Sequence, residues 1–200
     1  MNSETFKVTT PSDLEIAMTR VFNAPRRLVF DALTKPEPVK QGLLGPPGWS
    51  MPVCEIDLKV GGAWRSVLRG PKGREMGMRG VYQEIARPER FVSTESFDDY
   101  PGESLNTLVL SEHGGKTTLT ITVHYQSQEI RDAVIKSGMA HGAAECYDVG
   151  LWRSSRDGER GRSVSDTCRV RRIPRCICAA LGGLVRVRDY SIHSRRTGRA

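Results

Sequence analysis

The segment Thr117–Tyr125 alternates without a break. Leu119, Ile121, Val123 and Tyr125 share one face, and Thr118, Thr120, Thr122 and His124 share the other. That is the period-2 signature of a strand with one buried side. Two residues later the period changes to 3.6. Ser127 is placed as an N-cap, and Glu129 falls in the first turn, where the helix dipole favours an acid. Ile130, Ala133, Val134, Ser137, His141 and Ala144 then recur on or near one helical face. A one-faced strand running straight into a one-faced helix confines the chain to an α+β layer fold, in which a helix covers an antiparallel sheet.

The residues before this unit supply the rest of the sheet. Leu14, Ile16 and Met18 alternate with Glu15, Ala17 and Thr19, which predicts a half-buried strand. Pro25 suits the first turn of a helix, and Leu28, Val29, Ala32 and Leu33 recur at helical spacing. Pro36 and Pro38 end it. A short second helix is expected from Glu37 to about Leu44, before the rigid loop Gly45-Pro46-Pro47-Gly48.

Short alternating segments follow. Cys54, Ile56 and Leu58 share a face, as do Trp64, Ser66 and Leu68, and Phe91, Ser93, Glu95 and Phe97. Gly77–Ile85 is a further strand, and Tyr100-Pro101-Gly102 reads as a break. Leu105–Leu110 and Thr117–Tyr125 form a hairpin. The expected order is strand, two short helices, about six antiparallel strands, long helix. Gly138 and Gly142 lie four apart in that last helix, each costing about 1 kcal/mol relative to Ala. Close approach to a strand, or room for something bound, offsets such a cost. A sheet curved around this helix leaves a concave apolar space, the default ligand site.

Charge divides the chain where the helix ends. From Gly150 onward there are 13 Arg, no Lys and four acids, against 17 bases and 19 acids before it. The net charge of +7 therefore belongs to the C-terminal segment, and no nucleic-acid partner is expected for the domain. Met1–Thr10 has no basic-then-apolar signal pattern, and no stretch reaches the ~18 apolar residues of a membrane span. A cytoplasmic location is the expectation. Only Cys54 and Cys146 precede the arginine-rich segment, which is no disulfide framework.

The segment TRVFNAPRRLVFDALT (19–34) resembles the opening of the START-like (SRPBCC) superfamily. Its bacterial branch related to the activator of heat-shock-protein-90 ATPase is the most similar. Leu44–Trp49, Glu55–Leu58 with Gly61-Gly62, Glu75–Met78 with Gly80-Val81, Arg87–Arg90, Gly115–Leu119, and Arg131–Ala133 with Ser137–Met139 and Gly142 follow in matching order. The resemblance runs from about Leu14 to Asp148.

It implies the helix-grip fold: a curved antiparallel sheet of six or seven strands wrapped around a long C-terminal helix, with two short helices after the first strand. An internal cavity between sheet and helix comes with that fold. For this branch the resemblance implies small-molecule binding or stress-related roles, in a superfamily that includes lipid carriers, polyketide cyclase-like proteins and dioxygenase subunits. Two departures stand out. Such domains carry a Trp where this chain has Gly42, and their terminal helix continues past Asp148 with apolar residues at helical spacing.

The domain is therefore expected to span residues 1–148, with 149–200 as an arginine-rich tail foreign to it. The hypothesis for the tail is a reading-frame shift near Asp148, since out-of-frame translation of GC-rich DNA yields Arg, Gly, Ser and Cys in excess. A nucleotide sequence in which no alternate frame restores an apolar-periodic helix end would refute it. The rivals are a basic arm binding nucleic acid or anionic lipid non-specifically, and a zinc site from Cys168, Cys176, Cys178 and His193, which lacks the paired CxxC spacing.

No nucleophile elbow, P-loop, HExxH or dinucleotide fingerprint is present, and no catalytic residue, cofactor or metal is expected. The candidate cavity residues are Trp49, Trp64, Met76, Met78, Phe91, Glu95, Phe97, Leu108, His124, Met139 and His141. Core and cavity wall are the same residues in this architecture, and Met repacks readily around varied ligands. Glu95, among aromatics, has the setting for a raised pKa, although a paired or edge-facing carboxylate is the ordinary outcome. His124 either lines the cavity or faces water.

The leading expectation is a noncatalytic domain holding an apolar or amphipathic small molecule. The alternatives are a chaperone-interaction module, or a cyclase- or hydrolase-type enzyme using Glu95 or a histidine.

Overall fold

The computed structural model describes residues 6–42 and 48–137. Eight strands form one antiparallel sheet: β1 (Phe6–Thr9), β2 (Glu15–Phe22), β3 (Ser50–Ile56), β4 (Ala63–Arg69), β5 (Glu75–Ala86), β6 (Arg90–Phe97), β7 (Tyr100–His113) and β8 (Lys116–His124). Three helices accompany it: α1 (Arg26–Thr34), α2 (Pro36–Gly42) and α3 (Gln128–Lys136). The spatial order is β1-β2-β8-β7-β6-β5-β4-β3. Strands β3 to β8 are a meander, and β2 closes onto β8. Helices α1 and α2 carry the chain from β2 to the far edge at β3.

The strand count exceeds the expected six or seven. β1 is a four-residue edge strand pairing with β2, and β7 begins at Tyr100, where a break was expected. The expected continuation of the C-terminal helix, with Met139 and His141, and the arginine-rich tail fall outside the described residues.

Matching of apolar rows explains the register. β2 sets Ile16 opposite Val123 and Met18 opposite Ile121. β7 sets Leu108 opposite Ile121 and Leu110 opposite Leu119. A slip of one residue would turn every one of these side chains to the other face. Gly114 and Gly115, with φ of 56° and 72°, form the two-residue turn of the β7–β8 hairpin, a geometry that L side chains rarely adopt. Pairing shifts between Ser50 and Val53, Tyr82 and Glu84, and Glu95 and Phe97. Such bulges bend strands and increase twist, which curves the sheet around its covered face.

The helices lie on that face. α1 buries Val29, Phe30 and Ala32. α3 starts as expected: the Ser127 hydroxyl accepts from the Ile130 backbone N–H at 3.3 Å, and Val134 is buried. Two apolar clusters result. One joins Ile16, Met18, Phe30, Tyr82, Phe91, Leu108, Leu119, Ile121 and Val134. The other joins Val39, Met51, Cys54, Leu68, Met76 and Met78. Along β6 the first cluster ends at Phe91 and the second is met by Phe97, so Ser93 and Glu95 fall between them.

Candidate functional site

Strand β6 turns Ser93 and Glu95 inward, and β7 places Asn106 opposite Ser93 and Ser104 opposite Glu95. Ser93, Glu95 and Asn106 are all nearly inaccessible, Glu95 at 3% exposure. A polar band therefore crosses the sheet interior between the two apolar clusters. Burial drives the Glu95 pKa from its ordinary 4.5 up to about 8, and the Asn106 amide offsets a small part of this. Among the described residues, no cation acts on it. Around neutral pH the group is thus chiefly a protonated acid and a hydrogen-bond donor. Burial, and secondarily the nearby Glu95, raise the Tyr125 hydroxyl. Burial likewise pushes Tyr82 up to about 12.

Two polar atoms nearby are buried with no hydrogen-bond partner among the described residues, Asn106 Oδ1 and Trp64 Nε1. Native interiors leave few such atoms. Trp64 gets in because β5 has Gly80 opposite it. A Cβ there would lie 1.8 Å from the Thr94 carbonyl and 2.6 Å from the indole nitrogen.

Glu95 also forms part of the wall of a small cavity between the sheet and α3, of about 60 Å³. Phe97, Ser104, Tyr125, Ile130 and Val134 complete the wall, and exposed Pro101, Gly102, Glu103 and Gln126 form the rim. Among the described residues, no Lys, Arg or His lines it. A volume of this size holds a few water molecules or a short polar head group. An open groove continues outward over the β6–β7 turn, adding Arg79, Ser96, Asp98 and Asp99. There Asp98 accepts from Arg65 at 2.9 Å and from Arg79. The Arg65 hydrogen bond, foremost, holds the Asp98 carboxyl below its ordinary range.

Of the eleven residues expected at the cavity, Glu95 and Phe97 meet there. Phe91 and Leu108 belong to the first apolar cluster, and Met76 and Met78 to the second. Trp49 lies half-buried against Gly70, and Trp64 packs against both clusters. Met139 and His141 lie outside the described residues. Two expectations are corrected. His124 is on the outer face, its side chain 51% exposed and 3.8 Å from Glu15, because the strand alternation that buries Val123 and Tyr125 turns it outward. Glu95 has no ion-pair partner among the described residues and is not edge-facing: β5 and β7 flank it on both sides and it lies on the covered face.

Asn106 and Tyr125 escaped the expected set. Both carried a signal, since Asn106 holds an inward position in register with Leu108 and Leu110, and Tyr125 ends the most apolar face of β8. Among the described residues, no three His, Cys, Asp or Glu side chains group closely enough to hold a metal, and no helix is long and apolar enough to cross a membrane.

Comparison with known proteins follows this geometry. Residues 23–149 match the family described as activator of Hsp90 ATPase homolog 1-like protein. A solved structure from Rhodobacter sphaeroides is 31% identical, with a TM-score of 0.67, covering 76% of this chain and 95% of that one. Structures from Mycobacterium smegmatis (24% identical, TM-score 0.68, 76% and 99% covered) and Nitrosomonas europaea (21%, 0.65, 75% and 99%) share the fold. No curated protein matches. A family match across well over half of the chain, on a sheet curved around its C-terminal helix, identifies this protein as a member of the activator of Hsp90 ATPase homolog 1-like family.

Proposed function

We propose that this domain binds an apolar or amphipathic small molecule between sheet and C-terminal helix, without catalysing a reaction on it. One observation carries the reading: a buried acid, Glu95, with no cation beside it among the described residues, shares the wall of a cavity with Phe97, Ser104, Tyr125, Ile130 and Val134. Apolar walls supply affinity through burial. A single convergent polar group fixes orientation. A carboxyl kept in the interior with no cation works against stability, and a ligand that hydrogen-bonds it relieves that cost.

The test is thermal unfolding of the full-length chain across a library of lipids and small aromatics. A ligand present at 100 times its Kd stabilises by about 2.7 kcal/mol, so a clear rise in Tm is expected for some members. A flat response across the library overturns the reading.

The family match favours a second reading, in which the domain engages a chaperone of the Hsp90 type through its surface. That role needs no cavity ligand. It requires a change in the chaperone's ATPase rate when the domain is added, and one that survives Glu95→Gln.

A further inference from the structure

We propose that the ligand of this cavity is an organic cation, an amphipathic molecule whose ammonium group seats against Glu95 while its apolar body lies along Phe97, Tyr125, Ile130 and Val134. This rests on the binding-domain reading above and adds the charge of the ligand. The first ground is the sign of the lining. Among the described residues the cavity is lined by two carboxyl groups, Glu95 inside and Glu103 at the rim, and by no basic side chain. The adjoining groove adds Asp98 and Asp99, and its one arginine, Arg79, is already committed to Asp98. An anionic head group, such as a fatty acid carboxylate, would enter against this field unpaired, which is the costly case for a buried charge.

The second ground is what the wall offers a cation. Among the described residues, Glu95 in the wall has no positive partner, and Asn106, which hydrogen-bonds it from outside the wall, keeps a buried Oδ1 without a donor. An ammonium group brings three donors and a charge. Phe97 and Tyr125 line the same space, and a cation over an aromatic face is attracted by its quadrupole. Size fits as well, because an enclosed space of about 60 Å³ admits a short head group.

Seating the ammonium ionises Glu95, so one proton passes from its carboxyl to solvent for each molecule bound. Among the described residues, the other ionisable groups of the cavity and of α3 are Tyr125 in the wall, Glu103 at the rim, and Glu129, Arg131, Asp132 and Lys136 on α3, where Arg131 is turned onto Asp132 at 3.0 Å.

Isothermal titration of the full-length chain at pH 7 with n-hexylamine, n-hexanol and hexanoate tests this. These probes share one apolar body and differ in head-group charge. Hexylamine is expected to bind about tenfold or more tighter than hexanol, with hexanoate weakest. Titration in two buffers of different ionisation enthalpy should show net proton release with hexylamine and none with hexanol. Glu95→Gln should remove the preference for hexylamine and leave hexanol binding in place. Rim variant Glu103→Gln, exposed and neutral to folding, should weaken hexylamine alone by about two- to threefold. Hexanol or hexanoate binding as tightly as hexylamine overturns the cation assignment while the binding-domain reading stands. If hexylamine fails but members of the broad library bind, the cation assignment again falls alone. If nothing binds in either experiment, both fall.

Discussion

A carboxyl group 3% exposed, with one amide and no cation beside it among the described residues, is more stable in the fold when protonated. The native pKa of Glu95, about 8, lies above its ordinary 4.5, so between those values the folded chain holds a proton that the unfolded chain has lost. Stability from this group is therefore complete below about pH 4.5 and is lost as pH rises toward 8. Each pH unit inside that window removes about 1.4 kcal/mol at most. Urea unfolding at pH 5, 6.5 and 8 should show the decline. Glu95→Gln, an uncharged near-isostere, should flatten it and leave the variant more stable than the parent at pH 8. Equal slopes for the two proteins would mean that Glu95 is solvated or paired. Gly80 makes a second prediction at this scale. Gly80→Ala brings a methyl group onto the Thr94 carbonyl and the Trp64 indole. The carbonyl is backbone and cannot step aside, so a loss of about 3 kcal/mol is expected in chemical denaturation.

Among the elements, those written in a strict period were legible before any coordinates. β8 and the start of α3 follow from alternation, an N-cap and a change of period, and Ser127 does cap the helix. Ser127→Ala should cost about 1 kcal/mol, read as a lower urea midpoint at unchanged slope. The elements that escaped lack such a pattern. β1 is four residues long, too short to show a period, and exists because β2 offers an edge. The first residues of β7 pass through Pro101 and Gly102, which signal a turn locally but are held extended against β6. The site divides the same way. The face shared by Phe91, Glu95 and Phe97 was readable along one strand. That Glu95 meets no cation among the described residues was not, because the neighbours of a strand residue belong to the adjacent strands, and β7 sets Ser104 and Asn106 there. The outward turn of His124 was implicit in the alternation of β8.

At the scale of the whole molecule, the division of charge bears on where the folding unit stops. The family match ends at residue 149, and the 13 arginines with four acids begin just beyond. If the unit closes near Asp148, the residues after it add like charge and chain entropy but no packing. A chain terminated after Asp148 should then unfold within about 3 °C of the full-length protein, since a change of 1 kcal/mol moves Tm by roughly that much at this size. Its charge would fall from +7 to about −2, so it should lose retention on an immobilised polyanion that the full-length chain binds in a salt-dependent manner. A fall in Tm of more than about 10 °C would amount to several kcal/mol. That result would place part of the core beyond Asp148 and make the arginine-rich segment part of the fold it follows.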